Sequence, residues 1–195
     1  MESGQAGEDE NVAEILAFLQ KEGIEYQRRD HAEAKTMDDL MPLMNDLYSA
    51  GDVVLKNLFF KDRKMNLFLC SVASDTVVDT KHLQRLLKIS NSANLRLAAA
   101  DLLLSELRTT QGHLSPLSVL LKTSSTPIVY ALDIKARHPP TRPDGGPKRV
   151  WMHPGRNDVS VGLTVEALER LVQGFGARGV DVRWFDFAVG AGDGS

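Results

Sequence analysis

The 195-residue chain has one cysteine, Cys70. That single thiol excludes an intramolecular disulfide and any multi-cysteine zinc or iron–sulfur site, and it points to a reducing compartment. Aromatic residues make up only 6% of the chain, and no apolar run approaches the roughly 18 residues needed to cross a membrane. No sign of charge dominates. The formal net charge of −3 disfavours a sequence-blind nucleic-acid coat but leaves room for a local basic groove. The acidic start, MESGQAGEDENVAE, has neither the basic nor the apolar region of a secretory signal, so the cytoplasm is expected. Also missing are GxGxxG, a Walker loop, HExxH and GxSxG. The five histidines, His31, His82, His113, His138 and His153, show no close pair of zinc-site spacing, and neither a metal nor a cofactor is expected.

What is present is an ordinary globular composition, 43% hydrophobic and 25% charged, at a length that favours one domain. Residues 1–10 and 188–195 are Gly/Asp/Glu-rich or small and polar and read as disordered tails flanking a domain at 11–187. Val12, Ile15, Leu16 and Leu19 share one helical face, with Asn11 as the expected cap and Gly23 as the stop. A strand is expected at 24–29. Thr36 and Asp39 form a capping-box pattern before Leu40, Leu43, Met44 and Leu47, a helix that Pro42 should kink or delay. Residues 52–61 and 65–73 read as an antiparallel pair turning near Asp62-Arg63-Lys64. Short helices are expected at 80–88 and 98–107, and strands at 126–133, 149–153 and 158–163. Thr164 caps a last helix, and a strand follows at 180–187. Residues 136–148, with four prolines and two glycines, read as an exposed loop. Helices and strands are interleaved and several links are short, so the expected class is α+β with a mixed, mostly antiparallel sheet.

Three segments stand out chemically. In Lys56-Asn57-Leu58-Phe59, a lysine and an asparagine interrupt an apolar strand. Lys56 reads either as the solvent-facing residue of an edge strand or as a cation delivered from a rigid strand to an anion. Gly112-His113-Leu114-Ser115-Pro116 reads either as a plain turn or as a loop whose backbone approaches a ligand, which glycine permits. His153-Pro154-Gly155-Arg156-Asn157-Asp158 places a histidine at a strand end beside a turn. Cys70, between Leu69 and Ser71 in a strand pattern, reads as a core thiol rather than a nucleophile.

Taken in order, these motifs, with Asp133 ending a strand between the second and third, resemble the YbaK-type editing domain family, also called the prolyl-tRNA synthetase-associated domain. The similarity extends over about 11–187 and is greatest to the free-standing, trans-acting members that hydrolyse alanine from tRNA for proline. His31 followed by Thr36 and acidic residues also resembles the family's opening segment. The acidic start and the long 136–148 loop depart from it. The resemblance implies a compact α+β domain with a curved mixed sheet packed by helices. It implies hydrolysis of an aminoacyl ester by water, aided by the terminal ribose hydroxyl, with no metal or cofactor. It further implies that Lys56, Gly112 and His153 act at the reacting ester. Lys56 would hold the terminal phosphate or ribose, Gly112 would orient the carbonyl or the water, and His153 would line the pocket. Asn57, His31, Thr36, His113, Ser115, Pro116, Asn157 and Asp158 are the expected binding and supporting residues. The partners implied are the acceptor end of tRNA for proline and a prolyl-tRNA synthetase or multi-synthetase complex. Cysteine in place of alanine is the alternative substrate, and a non-catalytic tRNA- or synthetase-binding subunit is the alternative function.

Overall fold

The computed structural model describes residues 2–138 and 140–188. The first helix, α1 (Glu2–Lys21), buries Ile15 and Leu19 as the helical spacing predicts. It starts at Glu2, however, not after Asn11. Residues 2–10, expected to be a disordered tail, form its first turns. Glu8 and Asp9 pair with His113 and Arg156 of distant loops. Asn11 is therefore not a cap. Its amide donates to the Arg108 carbonyl at 2.8 Å. The tail expected at 188–195 lies outside the described residues from 189 onward.

Strand β1 (Gln27–Asp30) leads to α2 (Met37–Ser49), which Thr36 and Asp39 open with both bonds of a capping box. Pro42 sits inside α2 without ending it. Strands β2 (Val53–Lys61) and β3 (Leu67–Ala73) form the expected antiparallel pair. Then come α3 (Thr80–Leu87), the two-residue β4 (Arg96–Leu97), α4 (Ala100–Leu107) and a 3₁₀ helix over Pro116–Leu121. Strands β5 (Ile128–Asp133), β6 (Arg149–Met152) and β7 (Val159–Thr164) precede α5 (Val165–Gln173) and β8 (Val180–Phe185). Between β5 and β6, the 136–148 segment carries a bridge between Thr141 and Pro147.

One mixed sheet runs in the order β1-β7-β6-β2-β3-β5-β8, with β4 added to β2. Pairs β1–β7, β6–β7, β2–β3 and β2–β4 are antiparallel; β2–β6, β3–β5 and β5–β8 are parallel. Thus β2 lies in the middle of the sheet, not at an edge. One sheet face joins α1, α4, α5 and the 3₁₀ helix in the main core, including Leu55, Phe59, Leu69, Tyr130 and Leu132. Phe60, Cys70, Val72 and Leu83 form a second cluster on the other face, where the Cys70 thiol is pushed up to about 12 by burial and the nearby Asp133. α2 covers a third cluster around Trp151, whose indole donates to buried Asp52 at 2.9 Å. Gly162 lies under that indole, where any Cβ would come within 2.6 Å of the ring. No helix among the described residues is long and apolar enough to cross a membrane.

Candidate functional site

A cavity of about 290 Å³ opens where the middle of β2 meets the start of α2, the 96–103 segment and the 111–114 loop. Five residues singled out by sequence line it: Thr36, Lys56, Asn57, Gly112 and His153. They come from four separate segments. The rest of the wall is mainly apolar, with Met37, Leu40, Leu55, Phe59, Leu103 and Leu114 among its members. The volume stands at the small end of ligand sites, which span roughly 300–1,000 Å³.

Each polar lining residue is held by its element. Strand alternation sends Lys56 and Asn57 to opposite faces of β2. Lys56 is half-buried, and its ammonium donates to the Thr76 carbonyl at 2.8 Å, so it is not a free surface cation. Its backbone pairs with β3 alone, because β6 reaches only Val53 and Val54 and β4 only Phe60 and Lys61 on the other side of β2. Thr76 in turn donates its hydroxyl to buried Asp133 at 2.8 Å. The Asn57 oxygen accepts the Ser71 hydroxyl at 2.6 Å. Gly112 has φ +88, and a Cβ there would stand 3.3 Å from the Lys35 carbonyl, so the loop closes on the chain before α2, where a side chain would be strained and tightly packed.

His153 ends the β6 segment and is buried. Its Nδ1 lies 2.9 Å from the Val159 carbonyl, an acceptor that requires the proton on Nδ1 and leaves the lone pair on Nε2. Burial pushes its pKa down to about 4, only partly opposed by that carbonyl, so the ring is neutral at physiological pH. A backbone carbonyl fills the orienting place for which the sequence offers no carboxylate.

The other six expected residues do not line the cavity; they build its frame. His31 sits behind His153, with ring centroids 5.7 Å apart, and its Nε2 is 2.9 Å from the Ser160 hydroxyl. The Nδ1 of His113 meets Thr110 at 3.2 Å and Glu8 at 3.3 Å. Ser115 donates its hydroxyl to the His153 carbonyl at 2.5 Å while capping the 3₁₀ helix that Pro116 begins. The carbonyls of Asn157 and Asp158 accept the Ala34 and His31 amides, both at 2.9 Å, and the Asp158 carboxylate pairs with Arg156. Sequence reasoning missed the apolar wall. Its residues carry ordinary core periodicity, and no local signal separates a cavity wall from a core.

Comparison with known proteins follows the same geometry. The profile of the aminoacyl-tRNA editing domain matches residues 31–171. The chain is 34% identical over 160 residues to "Prolyl-tRNA synthetase associated domain-containing protein 1" of Danio rerio, covering 82% of this chain and 80% of that one. It is 30% identical over 164 residues to "Prolyl-tRNA editing protein ProX" of Acetoanaerobium sticklandii, covering 83% and 90%. Among solved structures, one described as "a putative trans-editing enzyme for prolyl tRNA synthetase" superposes with a TM-score of 0.62 at 17% identity, over 90% of this chain and 95% of that one, a likeness of fold. The segments that wall the cavity from Thr36 to His153 all fall inside the matched domain, and on that ground the chain belongs to the aminoacyl-tRNA editing domain family, in its YbaK-type, prolyl-tRNA synthetase-associated branch.

Proposed function

We propose that the protein is a trans-editing deacylase that hydrolyses alanine from mischarged tRNA for proline. The observation that carries this reading is the convergence of Lys56, Asn57, Gly112 and His153 on one small, mainly apolar cavity. A synthetase pocket that admits proline cannot sterically exclude the smaller alanine, and each missing methylene gives only about 1–3 kcal/mol of discrimination. A second site too small for proline removes the error, and a cavity of about 290 Å³ suits that task. The aminoacyl ester is already activated, so positioning and oxyanion stabilisation are enough and no side-chain nucleophile is needed.

In this reading Lys56 exchanges its bond to the Thr76 carbonyl for the terminal phosphate or ribose of the tRNA. Asn57 binds an oxygen of the same end. The Gly112 backbone meets the ester, and neutral His153 limits the side chain and orients the ribose. His31, His113, Ser115, Pro116, Asn157 and Asp158 hold these groups in place. The partners are the acceptor end of tRNA for proline and prolyl-tRNA synthetase, alone or within a larger synthetase assembly.

The test is to incubate the purified protein with alanyl-, cysteinyl-, seryl- and prolyl-tRNA for proline and follow amino-acid release. Release of alanine ahead of the others is expected. Preferential release of cysteine would move the assignment to that residue, and release of none with retained tRNA binding would make the protein a binding subunit. Lys56→Ala should lower the rate roughly 10- to 100-fold, the range set by loss of a charge-assisted contact of about 1.5–3 kcal/mol, with the melting temperature measured alongside.

A further inference from the structure

Behind the cavity wall lies a polar column that the proposed chemistry does not use. The antiparallel register of β2 and β3 puts Ser71 directly opposite Asn57, on the face that packs the main core. Ser71 is fully buried and donates its hydroxyl to the Asn57 oxygen at 2.6 Å.

We propose that Ser71 is a positioning residue that fixes the side-chain amide of Asn57 so that its two N–H donors face the substrate. The logic is one of proton count. A serine hydroxyl has one proton, and here that proton lies on the Asn57 oxygen. Donation runs outward from Ser71 to Asn57. With its oxygen tied, Asn57 has only donors left, and its other contact among the described residues is a 3.5 Å approach of Nδ2 to the Leu55 carbonyl, at the limit of a hydrogen bond. Were Ser71 the acceptor instead, the Asn57 amide would flip and present an oxygen to the cavity. The column therefore makes the site select an acceptor, such as the ester carbonyl or a ribose oxygen, at the position that Asn57 addresses. This inference rests on the deacylase reading.

The experiment is a double-mutant cycle, Ser71→Ala combined with Asn57→Ala, on alanyl-tRNA deacylation. Ser71→Ala should lower kcat/KM roughly five- to twentyfold and have no further effect once Asn57 is alanine. A merely structural Ser71 would cost the same factor in both backgrounds, and that result would overturn the proposal. So would wild-type rates in Ser71→Ala. A readout free of activity is the pair of Asn57 side-chain amide proton resonances, observed with ¹⁵N labelling in the free protein. One well-dispersed, slowly exchanging pair is expected in the wild type, collapsing towards random-coil positions in Ser71→Ala; an unchanged pair would overturn the relay. If the wild type releases no amino acid and does not bind 3′-alanylamido-3′-deoxyadenosine, the deacylase reading falls, and the amide resonances still decide whether the relay orders Asn57.

Discussion

His153 shows how far a residue's chemistry is set by its surroundings. An unperturbed histidine titrates near ~6.5, but burial holds this one at about 4. Two consequences differ in sign from those of an exposed catalytic histidine. Deacylation should show no histidine limb between pH 5.5 and 8; a fall with a midpoint near 6.5 that disappears in His153→Ala would make the ring a general base instead. Stability should respond where activity does not. The unfolded chain binds a proton on this ring below about 6.5 and the folded protein only below about 4, so folding stability contributed by His153 is complete above 6.5 and is lost as pH falls towards 4. The full loss is on the order of 3 kcal/mol. Melting temperatures of wild type and His153→Gln across pH 4–7 measure it, and equal slopes for the two proteins would remove the claim. Gly112 is limited by space and backbone rather than charge. At φ +88 with the Lys35 carbonyl 3.3 Å from any Cβ, Gly112→Ala should cost activity far beyond its change in melting temperature, since the alanine strains the loop at the cavity wall. Equal retention of both would make the loop an ordinary turn.

At the scale of elements, α1 acts on the site from outside the cavity. Its first turns reach the 111–114 loop through Glu8 and the 153–158 turn through Asp9. Further along, Asn11 and Glu14 hold Arg108 by its carbonyl and guanidinium. Exposed pairs of this kind contribute little to global stability, about 0–1 kcal/mol each, so their effect should be local. Deleting residues 1–9 should leave the melting temperature within a few degrees while amide hydrogen exchange at 112–116 and 153–158 speeds up. Unchanged exchange there would show that α1 carries no support to the loops. This clamp was not legible in the sequence, because residues 2–10 lack apolar periodicity and the partners of Glu8 and Asp9 lie more than 100 residues away. What was legible is what local chemistry dictates. The Thr36–Asp39 box, the β2–β3 pair about the Asp62 turn and the Thr164 cap all appear where hydrogen-bonding side chains and alternation place them. The central position of β2 was hidden, since its neighbour β6 is parallel to it and almost 90 residues later in the chain, and parallel pairing leaves no turn signal. The candidate site divides the same way: Lys56, Asn57, Gly112 and His153 interrupt or punctuate apolar runs, whereas Met37, Leu40 and Leu103 look like any core residue.

For the whole molecule, a net charge of −3 means that tRNA meets no attractive global field. Binding must use local cations, and Lys56, Lys61, Arg63 and Lys64 lie along β2 and the turn that follows it. Four phosphate contacts give a slope of log K against log salt of roughly −3. A measured slope implying eight or more contacts would require a much larger interface. The topology also sets a schedule for synthesis. Among the described residues, strand β1 pairs with β7 alone, where Gln27 to Asp30 face Gly162 to Val159. At roughly 5–20 residues per second on the ribosome, about 130 further residues take roughly 6–26 seconds to make. Throughout that interval β1 has no ladder, and the 153–158 turn, which supplies His153 and anchors α1, has not yet been made. The cavity therefore closes only near the end of translation, and a nascent chain halted before β7 holds Lys56 and Gly112 without a finished chamber. On the deacylase reading, a fragment halted before β7 should release no amino acid from charged tRNA.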